Sequence, residues 1–143
     1  MALNRETSIG YLINWAARLL VRELERHLLP IGITPAHMPV LFALEHGEAP
    51  QKAIAESASV KQETMTATLN RMERDGLISR RPNPDDGRSM LVALTPKARE
   101  KLPQVEDAAR AINALVLEQL TPEERTQFIG TMRRVIGVLE AQG

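Results

Sequence analysis

The sequence has no cysteine, few aromatic residues, no net charge and no long apolar run. Without cysteine, disulfides, thiolate nucleophiles, thiol-based redox sensing and thiolate metal sites are all excluded, and a reducing cytoplasm fits. One Trp, one Tyr and two Phe make up 3% of the chain. Any core must therefore come from Leu, Ile, Val, Met and Ala, whose straight-chain and small members favour helices. No stretch approaches the roughly 18 apolar residues a membrane helix needs. The start, Met1-Ala2-Leu3-Asn4-Arg5-Glu6, lacks the basic opening and apolar stretch of a secretion signal. Neither secretion nor membrane spanning is expected, and the expected location is cytoplasmic.

What is present describes one ordinary globular domain: 143 residues, 43% hydrophobic and 25% charged. Lys and Arg number 18, as do Asp and Glu. Affinity for nucleic acid would thus have to come from local clustering of basic residues, not bulk charge.

Three Thr-Pro pairs, Thr34-Pro35, Thr95-Pro96 and Thr121-Pro122, punctuate the chain. Each offers a side-chain cap followed by a proline suited to the first helical turn. The last adds Glu124 three residues after Thr121, a capping box. Apolar spacing predicts helices over about 7–28, 34–46, 51–58, 61–75, 95–120 and 121–142, with Pro103 bending the fifth. Between the fourth and fifth, segments 77–81 and 89–94 flank Pro82-Asn83-Pro84-Asp85-Asp86-Gly87 and read as a β-hairpin, the only convincing strand pair. The fold class is mainly α.

Two helices joined by a tight turn at Ser59-Val60, followed at once by a hairpin, form the plan of a winged helix-turn-helix, whose second helix enters the DNA major groove. With Met65, Leu69 and Met72 set inward, about 100° per residue turns Glu63, Thr66, Ala67, Asn70, Arg71 and Arg74 outward, with Thr64 on the flank and Gln62 at the amino end. These are base-reading types: Asn pairs with adenine, Arg with guanine, Glu accepts from cytosine, and Ala or Thr touches a thymine methyl. The hairpin adds Arg80, Arg81 and Arg88 where a sugar-phosphate backbone or minor groove would pass. Charge alone does not decide the matter, since a solvated helix face with interleaved signs gives a similar balance.

The motifs Ile33-Thr34-Pro35, Ala53-Ile54-Ala55, Thr64-Met65-Thr66, Arg71-Met72-Glu73-Arg74-Asp75-Gly76-Leu77-Ile78, Arg80 to Arg88 and Val92-Ala93-Leu94-Thr95 resemble the MarR family of bacterial winged-helix regulators. The resemblance is detailed over about residues 33–102. It implies a homodimer with long N- and C-terminal dimerisation helices, residues 1–32 and 96–143, around a DNA-binding lobe at 33–95, all one intertwined domain. It further implies a repressor of a pseudo-palindromic operator in double-stranded DNA, released by a small-molecule effector. By the same match Asp86 would orient Arg88 through a carboxylate-guanidinium pair; a plain turn-stabilising ion pair is the alternative. The chain departs from the family at Ala67 and Gly87, where basic residues are frequent, and at Lys61, a poor helix cap that Ser59 would replace.

Tyr11, Trp15, Arg18 and Arg22 form a second stripe on the first helix. Members of this family often bind small aromatic or phenolic anions near the dimerisation helices, and these residues, with His37, suit such an effector. Packing of Tyr11 and Trp15 at a dimer interface, with Arg18 and Arg22 at its rim, is the more ordinary reading of the same stripe. No metal-ligand spacing links His27, His37 and His46, and no glycine-rich phosphate loop is present. No enzyme, cofactor or metal is expected. The rival function is a winged-helix module for protein-protein interaction without DNA binding.

Overall fold

The computed structural model describes residues 3–143; Met1 and Ala2, where the reading of the amino terminus begins, lie outside the described residues. Helix α1, Ile9–Leu28, opens on Ser8, whose hydroxyl accepts the Tyr11 backbone N–H. It closes through a 3-10 turn, Leu29–Ile31, into Gly32 at φ 72°, a left-handed conformation that glycine adopts without strain.

The Thr34-Pro35 start does not produce one helix running to residue 46. A 3-10 turn, Pro35–His37, comes first, and helix α2 covers only Met38–Leu44. Pro39 is the physical reason: lacking an N–H, it cannot make the i−4 bond to Pro35, and the turn closes instead with Met38 N–H on the Pro35 carbonyl. Helices α3, Gln51–Ala58, and α4, Gln62–Arg74, follow as the spacing predicts.

The hairpin belongs to a three-stranded antiparallel sheet. Strands β2, Ile78–Asn83, and β3, Asp86–Leu94, are joined by a third, β1, Ala49–Pro50, in the order β1-β3-β2. The sequence reading had only the pair. Two residues ending in a proline carry no strand pattern, and β1 exists because Ala49 and Pro50 register against Val92 and Leu91 of β3.

Helix α5, Pro96–Leu117, starts where Thr95 accepts the Ala98 N–H and continues through Pro103. Helix α6, Pro122–Glu140, has the expected capping box: Thr121 Oγ1 accepts from Glu124 N–H, and Glu124 Oε1 from Thr121 N–H. No single helix among the described residues is long and apolar enough to cross a membrane.

The chain divides into two compact units, residues up to Ala108 and residues 109–143, so the division falls inside α5. The first is organised around one core in which Leu28, Val40, Leu44, Ile54, Leu69, Met72 and Val92 are fully buried. These come from α1, α2, α3, α4 and β3, and they fix the back of α4. In the second unit Arg125 Nε donates to the Leu117 and Leu120 carbonyls, while α6 buries none of its own residues.

Candidate nucleic-acid interface

Helix α4 is placed from three sides. At its start the tight turn follows a left-handed Ser59 (φ 53°), where Ser59 N–H reaches the Glu56 carbonyl and Val60 N–H the Ala55 carbonyl. This pairing closes α3. Ser59 therefore does not cap α4 as expected; Lys61 holds that position and makes no side-chain cap bond. Along its length Met65, Leu69 and Met72 are buried, together with Thr68. At its end Leu77 N–H bonds the Met72 carbonyl and Gly76 N–H the Glu73 carbonyl, with Gly76 at φ 76°. Lys97 Nζ then donates to the Asp75 carbonyl and the Thr95 hydroxyl to the Gly76 carbonyl. A cation at this end also complements the helix dipole.

The outward face is as the wheel predicts except at Thr66. Gln62, Glu63, Thr64, Ala67, Asn70, Arg71 and Arg74 are exposed, and Thr66 is half-buried with its hydroxyl accepting from Gln51 Nε2 at 3.1 Å. Arg74 lies 3.7 Å from the Asp75 carboxylate. Among the described residues Lys61, Arg71 and Arg88 have no ion-pair partner. Three cations of this segment are therefore available to a phosphate or a base edge.

The wing arginines do not behave alike. Arg80 points inward: its Nη1 donates to Asn70 Oδ1 at 2.9 Å, lies 3.9 Å from Glu73 Oε1, and its side chain is only 15% exposed. The pleat explains this, since Arg80 shares a face with buried Ile78 and sits opposite buried Val92. Arg81, on the other face, makes a bidentate pair with Glu48, at 3.0 Å to Oε2 and 2.6 Å to Oε1. The hydrogen bond from Arg81 holds the Glu48 carboxyl below its ordinary range, and the same bond raises Arg81.

At the tip, Asp86 Oδ1 accepts the backbone N–H of Arg88 at 3.0 Å. The expected carboxylate-guanidinium pair is not formed among the described residues. A carboxylate two residues before an amide closes an Asx turn more readily than it reaches back along a long side chain. Asp86 therefore shapes the turn and leaves the Arg88 guanidinium free. Glu48 and Glu73 were missed by the sequence reading. Glu48 is 33 residues from its partner and no local pattern announces it, whereas period-two alternation from Ile78 signals an inward Arg80.

The residues read as an effector site are partly gathered. Tyr11 and Trp15 meet edge to face at 6.2 Å between centroids. The Arg5 guanidinium, which the helical spacing does not point to, lies 4.2 Å from the Trp15 ring centre and 5.5 Å from that of Tyr11. Arg18 and Arg22 are exposed on the same helix. His37 is not brought to them. It is 6% exposed, accepts the Thr34 N–H on Nδ1 at 3.2 Å, and feels Asp75 and Arg71 at the end of α4. Trp15, by contrast, lies about 20 Å along α1 from Leu28. Burial first, and Arg71 less strongly, lowers the His37 pKa below its ordinary 6.5, against an opposing pull from Asp75.

The profile of the MarR family matches residues 31–89. The chain is 30% identical over 129 residues to the HTH-type transcriptional repressor Rv2887 of Mycobacterium tuberculosis, spanning 90% of this chain and 93% of that one. Among solved structures it is similar to a probable transcriptional regulator from Pseudomonas aeruginosa, with 29% identity, TM-score 0.83, and 92% and 99% of the two chains covered. It is also similar to a mutant MarR from E. coli complexed with operator DNA, with 25% identity, TM-score 0.84, and 92% and 96% covered.

Proposed function

This chain belongs to the MarR family of winged-helix transcriptional regulators, and from that premise we propose that it is a homodimeric, cytoplasmic repressor of a pseudo-palindromic operator. Helix α4 enters the major groove and Arg88 of the wing reaches the adjacent minor groove or backbone. The observation that carries this reading is the outward face of α4. Asn70 and Arg71 stand exposed on a helix whose opposite face is anchored in the core, directly before a hairpin whose tip carries Arg88, an arginine with no ion-pair partner among the described residues.

The dimer is supported by apolar surface. Helix α6 exposes Phe128, Ile129, Ile136, Val138 and Leu139, and α1 exposes Ile9, Leu19, Leu20 and Val21. Apolar residues left exposed on each helix in this way are covered in water by a partner, here a second copy. An aromatic anion at Tyr11, Trp15 and Arg18 would release the DNA by favouring a dimer in which the two α4 helices no longer match successive groove faces.

An operator shift assay tests the assignment. Arg71→Ala costs about 1 to 3 kcal/mol and relaxes base preference, whereas Arg88→Ala weakens binding evenly across sequences. Binding unchanged in both variants, or insensitive to salt, returns the chain to a protein-interaction module.

A further inference from the structure

We propose that Arg80 is a specificity-determining residue: it fixes the side-chain amide of Asn70 so that α4 presents a hydrogen-bond donor to the base pair beneath position 70. This rests on the DNA-binding reading above.

A guanidinium carries donors only, so the Asn70 atom 2.9 Å from Arg80 Nη1 has to be the amide oxygen. The ambiguity that ordinarily attends an asparagine amide is resolved by its neighbour. The NH2 group of Asn70 is thereby turned away from the wing on a residue that is itself exposed.

Arg80 is in no position to let go. It sits on the inward face of β2, mostly buried, with the Glu73 carboxylate 3.9 Å from the same nitrogen. Its Nε and Nη2 are shut off from solvent and find no acceptor among the described residues. The bond to Asn70 is thus the one short hydrogen bond this guanidinium makes there, and it is charge-assisted. Losing it would leave a buried cation with even less compensation.

An unconstrained asparagine pivots. It pairs with adenine through oxygen and nitrogen together, or turns its oxygen to the N4 donor of cytosine. The held amide offers its NH2, which matches the acceptor edges of guanine (N7, O6) and thymine (O4). Cytosine, whose edge carries only a donor, and the two-bond pairing with adenine are both disfavoured, since Arg80 takes one lone pair of the amide oxygen and holds that oxygen toward the wing.

The test is parallel selection of bound DNA from one randomised pool by the full-length wild type and three variants. Wild type is expected to favour guanine or thymine over cytosine about tenfold at one position per half-site. Arg80→Met, which fills the same buried space without a donor, reduces that ratio to within about twofold and leaves the rest of the consensus in place. Arg80→Lys, which can still donate to Oδ1, restores the preference. Asn70→Asp, an exposed change that does not disturb the core, inverts it toward cytosine, since a carboxylate only accepts. An even loss of affinity in Arg80→Met with an unaltered consensus assigns Arg80 a structural role and overturns the proposal. So does an Asn70→Asp consensus identical to wild type. Absence of any wild-type consensus overturns the DNA reading itself, and this inference with it.

Discussion

Neutralising the wing tip should change the salt dependence of DNA binding, and neutralising the neighbouring strand should not. Arg88 is exposed, its backbone N–H is taken by Asp86, and its guanidinium has no ion-pair partner among the described residues. Arg81 is tied by two short bonds to Glu48 and forms with it a unit of no net charge. Each cation that neutralises a phosphate on duplex DNA contributes about 0.9 to the slope of log affinity against log salt. Two wings per dimer make about 1.8 for Arg88. Between 50 and 200 mM salt, wild type should therefore lose about 12-fold more affinity than Arg88→Ala. Fluorescence anisotropy of a labelled operator duplex across that range measures both slopes. The charge-neutral double replacement of Arg81 and Glu48 by alanine is the control, and its slope should match wild type. The reasoning fails if Arg88→Ala keeps the wild-type slope, or if the neutral double lowers the slope as much as Arg88→Ala does.

Three further outcomes are expected. His37 has a folded-state pKa below 6.5, so the folded chain binds a proton less readily than the unfolded one. Stability is full above that value and falls as pH drops below it, and the fall should be shallower in His37→Gln, as urea titrations across that pH range would report. Leu69→Ala empties a fully buried site on the inward face of α4; it should cost about 2 to 5 kcal/mol in chemical denaturation, and a loss below about 1 would contradict its place in the core. Salicylate titrated into wild type should release or absorb heat that Trp15→Ala abolishes. No heat with wild type would remove the effector site, and heat unchanged by the substitution would move it elsewhere.

The parts of the molecule with local causes were readable from the sequence. The Thr121 capping box, the α3 and α4 ranges and the buried Met65, Leu69 and Met72 stripe each follow from spacing over a few residues. The features that escaped depend on distant partners. Strand β1 is held only by its register with β3, and Glu48 becomes an anchor only because the sheet brings Arg81 across to it. Charge alone groups Arg80 with the DNA-facing arginines of the wing, whereas two-residue alternation from Ile78 turns it inward. His37, grouped with the aromatics by chemistry, is a buried capping residue near the end of α4.

The central claim is that α4 and the wing read DNA sequence as a symmetric pair. Selection of bound duplexes from a random pool by the wild-type chain measures it most directly. Two inverted half-sites about one helical turn apart, 10 to 10.5 base pairs between centres, are predicted. Recovery of unenriched sequence, or of a single half-site without its inverted repeat, would contradict the account.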